Sequence, residues 1–204
     1  MAKVDIAKES RLCSRWNKVP GAWMLLARLL LLLVLPSCFS FSQTSKATES
    51  QVKAAYLFNF GKFVTWPSDQ TASSDSFEIC VIGKDPFGPV LDETVKGEKI
   101  SGKKVSIRRI SRIGEGRACN IAFISSSEES RLPGIIEEAA RMHVLTVSDI
   151  PHFAERGGTI GLVNLDDRIR FEVNRTRAAQ SHLGLSSELL KVAVKVIGGA
   201  SAGS

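Results

Sequence analysis

The stretch Phe77-Glu78-Ile79-Cys80-Val81-Ile82-Gly83-Lys84-Asp85-Pro86-Phe87-Gly88 restricts the fold more than any other part of the chain. Phe77 to Ile82 is a short apolar run rich in β-branched residues and bounded by breakers, the pattern of a buried strand. Gly83 ends it. Asp85 stands where a helix N-cap belongs, and Pro86 at the first helical position, where a missing N–H costs nothing. Strand, tight turn and short helix in that order predict a βαβ unit of an α/β domain. Cys80 lies in mid-strand. A second apolar strand, Cys119-Asn120-Ile121-Ala122-Phe123-Ile124, opens with Cys119.

Ahead of this core lies an export signal. Met24 to Leu35 is an apolar run broken only by Arg28. A bilayer needs about 20 apolar residues, so the run is too short to span and fits the h-region of a secretory signal peptide. Arg11, Arg15 and Lys18 precede it, and Ser40-Phe41-Ser42 supplies a small-x-small cleavage site before Gln43. Residues 1–42 are therefore predicted to be a signal peptide, with a start at Met24 as the alternative. Residues 43–50 are a tether, 51–197 one domain and 198–204 a frayed tail. Leu35-Pro36-Ser37-Cys38 matches a lipoprotein signal only in part, because Pro36 and Phe39 fit it poorly. Cys38 is predicted to leave with the leader, and lipidation of Cys38 is the alternative.

Removing the leader changes the charge argument. The chain holds 27 basic and 21 acidic residues, of which residues 1–42 hold six and two, leaving a net charge of +2. The high pI belongs largely to the leader and does not point to nucleic acid, which needs a basic patch or stripe. Lys103, Lys104, Arg108, Arg109, Arg112 and Arg117 cluster locally and read as a solvated strand edge and loop. Two of four cysteines survive processing, Cys80 and Cys119. They form a bridge or stay as two buried thiols, and an exported compartment favours the bridge.

Along the rest of the chain, Ser50 is expected to cap a helix in which Val52, Tyr56, Phe60 and Phe63 share a face, with Lys53 and Lys62 off it. Phe58 also falls off that stripe, as a second contact or a partner-facing group. Trp66-Pro67 stops the helix. Val105 to Ile110 alternates as a half-exposed strand. Ser126 and Glu129 have capping-box spacing before a helix over 128–142, with Pro133 near its start. Val144 to Ser148 is a buried strand, Asp149 to Arg156 a short helix, and Gly157-Gly158 its stop. Thr159 to Asn164 and Ile169 to Val173 form a hairpin about Asp166-Asp167. Ile169, Phe171 and Val173 take one face, Arg170 and Glu172 the other. A polar helix over 175–182 ends at Gly184, and Ser186 caps a last helix reaching Ile197, with Leu189, Leu190, Ala193, Val194 and Ile197 on its apolar face.

Taken together, VKAAYLFNFGKFVTWP from Val52, ICVIGKDPFG from Ile79, CNIAFI from Cys119, LTVSD from Leu145, FAERGG from Phe153, IRFEVN from Ile169 and GLSSELLKVA from Gly184 resemble the YfiR family, in family order, over about 51–196. The resemblance implies a periplasmic, single-domain α/β fold: a mixed sheet flanked by helices in a layered sandwich. It implies a regulator that represses a membrane-bound diguanylate cyclase by binding its periplasmic sensor domain, so that release raises cyclic di-GMP. Cys80 and Cys119 match the family's structural disulfide pair. Where some members carry a second pair, this chain has Ala154 and Gly161, so no redox role resting on a second bridge is implied. Family members pair with themselves, but no feature of this chain requires a homodimer.

The residues alone offer little chemistry. His143, His152 and His182 show no metal-ligand spacing with one another or with Cys80 and Cys119. Gly184-Leu185-Ser186-Ser187-Glu188 is no nucleophile elbow, and Gly83 to Gly88 is too short for a P-loop. No cofactor motif is found. Three features suit binding instead. Lys84 and Asp85 mark a helix N-terminus able to take an anion. Arg170, Glu172 and Asn174 share one strand face. Phe58 and Trp66 belong to an aromatic cluster fit to anchor a partner. A non-enzymatic regulator follows. The alternatives are a small-ligand module, with its ligand in the strand-end crevice near Gly83 to Asp85, and an accessory subunit of a membrane sensor kinase.

Overall fold

The computed structural model describes residues 48–68, 75–115 and 119–198. The predicted leader, the Met24 start, Cys38, most of the tether and the tail after Gly198 lie outside them.

Helix α1 (Glu49–Phe63) begins two residues before the end of the predicted tether. Thr48, not Ser50, caps it: its hydroxyl accepts from the Gln51 N–H, and the Gln51 carboxamide accepts from the Thr48 N–H at 2.7 Å, which closes a capping box. The buried face also differs from the aromatic stripe. Ala54, Leu57, Phe58 and Gly61, spaced i, i+3, i+4, i+7, point inward with Phe60, while Phe63 is 39% exposed. Small residues decide this. A Cβ on Gly61 would stand 2.5 Å from Ile100 Cδ1 and 3.1 Å from the Phe77 ring, so the helix lies close to the sheet on its Ala/Gly side. Lys53 is buried too, with its ammonium 2.6 Å from Asp149 and 2.5 Å from Glu49.

The remaining elements are β1 (Val64–Thr65), β2 (Ser76–Ile82), α2 (Pro89–Val95), β3 (Lys99–Ile100), β4 (Lys103–Ile110), β5 (Ile121–Ile124), a 3-10 turn (Ser126–Arg131), α3 (Leu132–Arg141), β6 (Leu145–Ser148), β7 (Ile160–Leu165), β8 (Arg168–Asn174), α4 (Arg175–Gln180), β9 (Gly184–Leu185), α5 (Ser187–Val192) and β10 (Lys195–Ile197). Eight strands form one mixed sheet in the order β10-β8-β7-β6-β5-β2-β4-β3, and β1 pairs with β9 apart from it. Within it, β4, β2, β5, β6 and β7 run parallel, whereas β3 and β8 join as antiparallel hairpin partners. Counted from β2, the parallel strands have the doubly wound order 2-1-3-4-5, with the order reversing between β2 and β5.

Alternate residues feed two cores. Ile79 and Val81 of β2 and Ile121 and Phe123 of β5 join the layer under α1 and α2. Cys80, Ile82, Ala122 and Ile124 of the same strands join the layer under α3, with Ile135, Ile136 and Phe153. Period two therefore sends every second side chain to each face of a fully buried strand. The Cys80–Cys119 disulfide lies in the second layer and joins β2 to the approach of β5. This is the layered α/β sandwich expected.

Several boundaries differ. Helix α2 starts at Pro89 behind Gly88 (φ +53), not at Pro86; Asp85 turns the chain instead, its Oδ1 accepting from the Phe87 N–H at 2.7 Å. Ser125 leads the 3-10 turn, and α3 proper begins at Leu132, with Pro133 in its first turn. Residues 151–157 form consecutive turns rather than a helix, because His152 takes a left-handed φ of +58° and Asp149 is drawn to Lys53. The predicted 175–182 helix stops at Gln180, with His182 left-handed at φ +54°. The last helix ends at Val192. β-Branched Val194, Val196 and Ile197 suit extended backbone, and Lys195–Ile197 adds to β8 as a parallel edge strand. The hairpin turn is as expected, with Asp166 and Asp167 both at positive φ, as a type I′ turn requires.

Candidate functional site

In an open α/β sheet the natural ligand position is the crevice where strand order reverses, here at the carboxyl ends of β2 and β5. The chain fills that crevice itself. The Lys84 N–H donates to Ser127 Oγ at 2.9 Å, and Phe87 N–H is taken by Asp85. Glu128 is buried there and accepts from Arg131 Nε at 2.9 Å. A Cβ on Gly83 (φ +86) would overlap Ser127 and Glu128. Two donors near Lys84 and Asp85, the Lys84 and Phe87 N–H groups, are thus taken by the protein, with a carboxylate alongside. Asp85 also accepts from Arg109 Nε at 2.8 Å, and Arg109 pairs with Asp92 at 2.5 Å. That hydrogen bond holds the Asp92 carboxyl below the usual range, and the two carboxylates push the Arg109 guanidinium upward.

The two predicted aromatic anchors lie inward. Phe58 is 8% exposed, with the Lys62 ammonium 4.0 Å above its ring. Trp66 is half-buried, edge-on to Phe77 at 5.2 Å, and its indole N–H donates to the Asn120 carbonyl at 3.2 Å.

The histidines are less scattered than the sequence suggested. His143 and His182 follow the ends of α3 and α4 in matching left-handed conformations, and their rings meet at 5.1 Å. His143 Nδ1 lies 3.1 Å from the Ser181 carbonyl. They line a groove of about 460 Å3 with Arg141, Arg177, Gln180 and Glu137. Only the fold brings the two helix ends together; no sequence spacing shows it. Among the described residues no three histidine, cysteine or carboxylate side chains group as metal ligands.

The β8 face is the open one. Ile169, Phe171 and Val173 point to the α1 side, which turns Arg168, Arg170, Glu172 and Asn174 the other way. Arg170 is exposed and Glu172 half-buried, but Asn174 is buried and structural: it caps α4 by accepting from the Arg177 N–H, and its amide donates to the Ala154 carbonyl, both at 2.8 Å. Register places Val163 beside Arg170, Leu165 beside Arg168 and Lys195 beside Glu172. The 149–157 segment meets this face at Gly161, which packs on Phe153 and Ala154, at Asn174, which donates to the Ala154 carbonyl, and at Lys195, which meets Glu155. Beyond it, Val163 is half-buried and Leu165, Arg168 and Arg170 are exposed. Lys195 binds Glu155 and holds its carboxyl below the usual range.

A bridged two-faced sheet, a filled crevice and an uncovered outer strand pair are thus joined in one chain, and a family model matches them over residues 50–194. The chain belongs to the YfiR/HmsC-like family. Part of the chain is similar to part of two solved structures. One is a conserved domain protein from Vibrio cholerae O1 biovar El Tor, at 13% identity and a TM-score of 0.44, covering 58% of this chain and 54% of that one. The other is the ABC domain in complex with L-Trp from Streptococcus pneumoniae, at 11% identity and a TM-score of 0.47, covering 71% and 60%. The chain spans little more than half the length of either. No curated protein matches it. Among the described residues no helix is long and apolar enough to cross a membrane.

Proposed function

We propose that this YfiR/HmsC-like chain is an exported regulator that binds the periplasmic sensor domain of a membrane diguanylate cyclase and represses it, lowering cyclic di-GMP. The family match over residues 50–194 carries the proposal, because it supports in general a periplasmic regulator of diguanylate cyclase signalling. The filled crevice favours action by contact over action on a small ligand: Ser127 and Glu128 occupy the place where such a fold ordinarily admits one. The regulator binds one state of the receptor better than the other. A differential of about 1–3 kcal/mol, the usual range of allosteric coupling, shifts the receptor's populations 5- to 150-fold.

Cellular cyclic di-GMP tests this, measured in a strain lacking the chain and in the same strain with the mature chain restored to the periplasm. The expected result is a rise on deletion that restoration reverses. Unchanged cyclic di-GMP in both strains removes the cyclase as the target.

A further inference from the structure

We propose, building on that regulatory role, that the uncovered β7–β8 face docks an acidic segment of a partner protein onto Arg168 and Arg170. The arginines of this domain are mostly committed. Arg109, Arg112, Arg131, Arg156 and Arg177 each meet a carboxylate, and Arg108 donates to the Glu115 carbonyl. Arg141, Arg168, Arg170 and Arg175 have no such partner among the described residues, and of these Arg168 and Arg170 stand two apart on one strand and project from the same face. Two apart on one strand, they place two positive charges on one face without an ion-pair partner of their own. Val163 and Leu165 lie directly across the ladder from them, and Leu165 is 46% exposed. Two guanidinium forks beside a half-buried valine and an exposed leucine have the composition of an interface centre, where arginine is enriched and apolar contact excludes water. Guanidinium geometry selects carboxylates, which it grips in pairs.

Charge decides the occupant. A second copy whose two-fold axis passes through Arg168 and Arg170 sets them against their own equivalents, which disfavours that self-association. An anionic bilayer calls for clusters of about four to eight basic residues. Here two arginines are bracketed by Asp166 and Asp167 at the hairpin tip and by Glu172 on the same strand. Such a mixed pattern suits a protein segment whose carboxylates meet the arginines and keep clear of the acids.

The experiment uses the full chain in its own strain. Arg168→Glu/Arg170→Glu is compared with wild type, with Arg168→Lys/Arg170→Lys, and with Arg141→Glu as an exposed arginine elsewhere. Periplasmic level and melting temperature are matched, and cyclic di-GMP is read alongside photo-crosslinking from an amino acid placed at Leu165. The expected result is a crosslink to another protein that falls more than tenfold in the Glu pair, is partly kept by the Lys pair and is unchanged in Arg141→Glu, with repression lost in parallel. A Glu pair that crosslinks and represses like wild type overturns the inference. A crosslink only to a second copy overturns it as well, as does arginine-dependent binding to phosphatidylglycerol vesicles with no protein crosslink. If wild type does not affect cyclic di-GMP yet the crosslink behaves as expected, the docking face stands and the cyclase falls.

Discussion

Removing the Cys80–Cys119 bridge tests how the two halves of the sheet are held. The perturbation is Cys80→Ala/Cys119→Ala, which deletes the bond and leaves neither of its sulfurs as a free thiol. The bridge spans 39 positions of sequence, and both cysteines are fully buried in the layer under α3. A loop of that length restricts the unfolded chain by about 4 kcal/mol in the chain-entropy account. Typical domain stabilities are about 5–15 kcal/mol, so the loss is a large share of the total. At about 2–4 °C per kcal/mol for a domain of this size, the melting temperature is expected to fall by roughly 8–16 °C. Urea denaturation carries a second signature. An unfolded chain freed from its loop exposes more surface, so the dependence on denaturant steepens as the midpoint drops. Because neither sulfur is exposed, a dithiol reductant should open the native bond only as fast as the structure itself opens. A stability loss below about 1 kcal/mol, or Cys80 and Cys119 found as free thiols in the purified protein, refutes the argument.

Two further outcomes follow from particular contacts. Burial pulls the Lys53 ammonium down, the largest single influence, but hydrogen bonds and charge from Asp149 and Glu49 together outweigh it and leave its pKa raised. Stability from a raised lysine is complete below the unfolded value near about 10.4 and is lost as pH climbs through the folded value. Asp149→Ala should therefore cost about 2 kcal/mol, as for a hydrogen bond to a charged group, evenly from pH 6 to 9. The gap to wild type should close only in strong alkali, and a gap that closes by pH 8 in urea titrations rules out Lys53 as its source. Gly158→Ala places a methyl inside the ring of buried Phe153, with an expected loss of about 2–3 kcal/mol by overpacking. Adding Phe153→Leu should restore part of it, and an unchanged melting temperature for Gly158→Ala alone excludes the clash.

Much of the core was legible from local pattern. Phe77 to Ile82 and Ile121 to Ile124 are runs in which every residue is apolar or tightly packed, which only strands covered on both faces sustain. The Asp166-Asp167 hairpin and the Ser186 cap were equally clear, because turns and caps are decided by a few adjacent residues. Helix boundaries were less legible where the same signal occurs twice: Pro86 and Pro89 both fit a helix start, and the pull of Arg109 from β4 commits Asp85 to the turn before the second. Phe58 looked available because the aromatics suggested one stripe, while Ala54 and Gly61 set the approach that buries it. Asn174 belonged to the expected binding strand face by alternation, yet its amide is spent on the cap of α4 and on Ala154.

The sequence by itself thus determined the class of fold, the strands of its centre and the family, since each rests on residue type and short-range order; it left Cys80 and Cys119 as a bridge or two buried thiols, and the structure decided for the bridge. Only the tertiary structure decided that the switch-point crevice is filled by Ser127 and Glu128, that His143 meets His182, that 195–197 is an edge strand, and that Arg168 and Arg170 stand uncovered beside Leu165. Those facts depend on which distant segments pack together, and chain-distant neighbours are fixed by the burial of whole faces rather than by any local pattern.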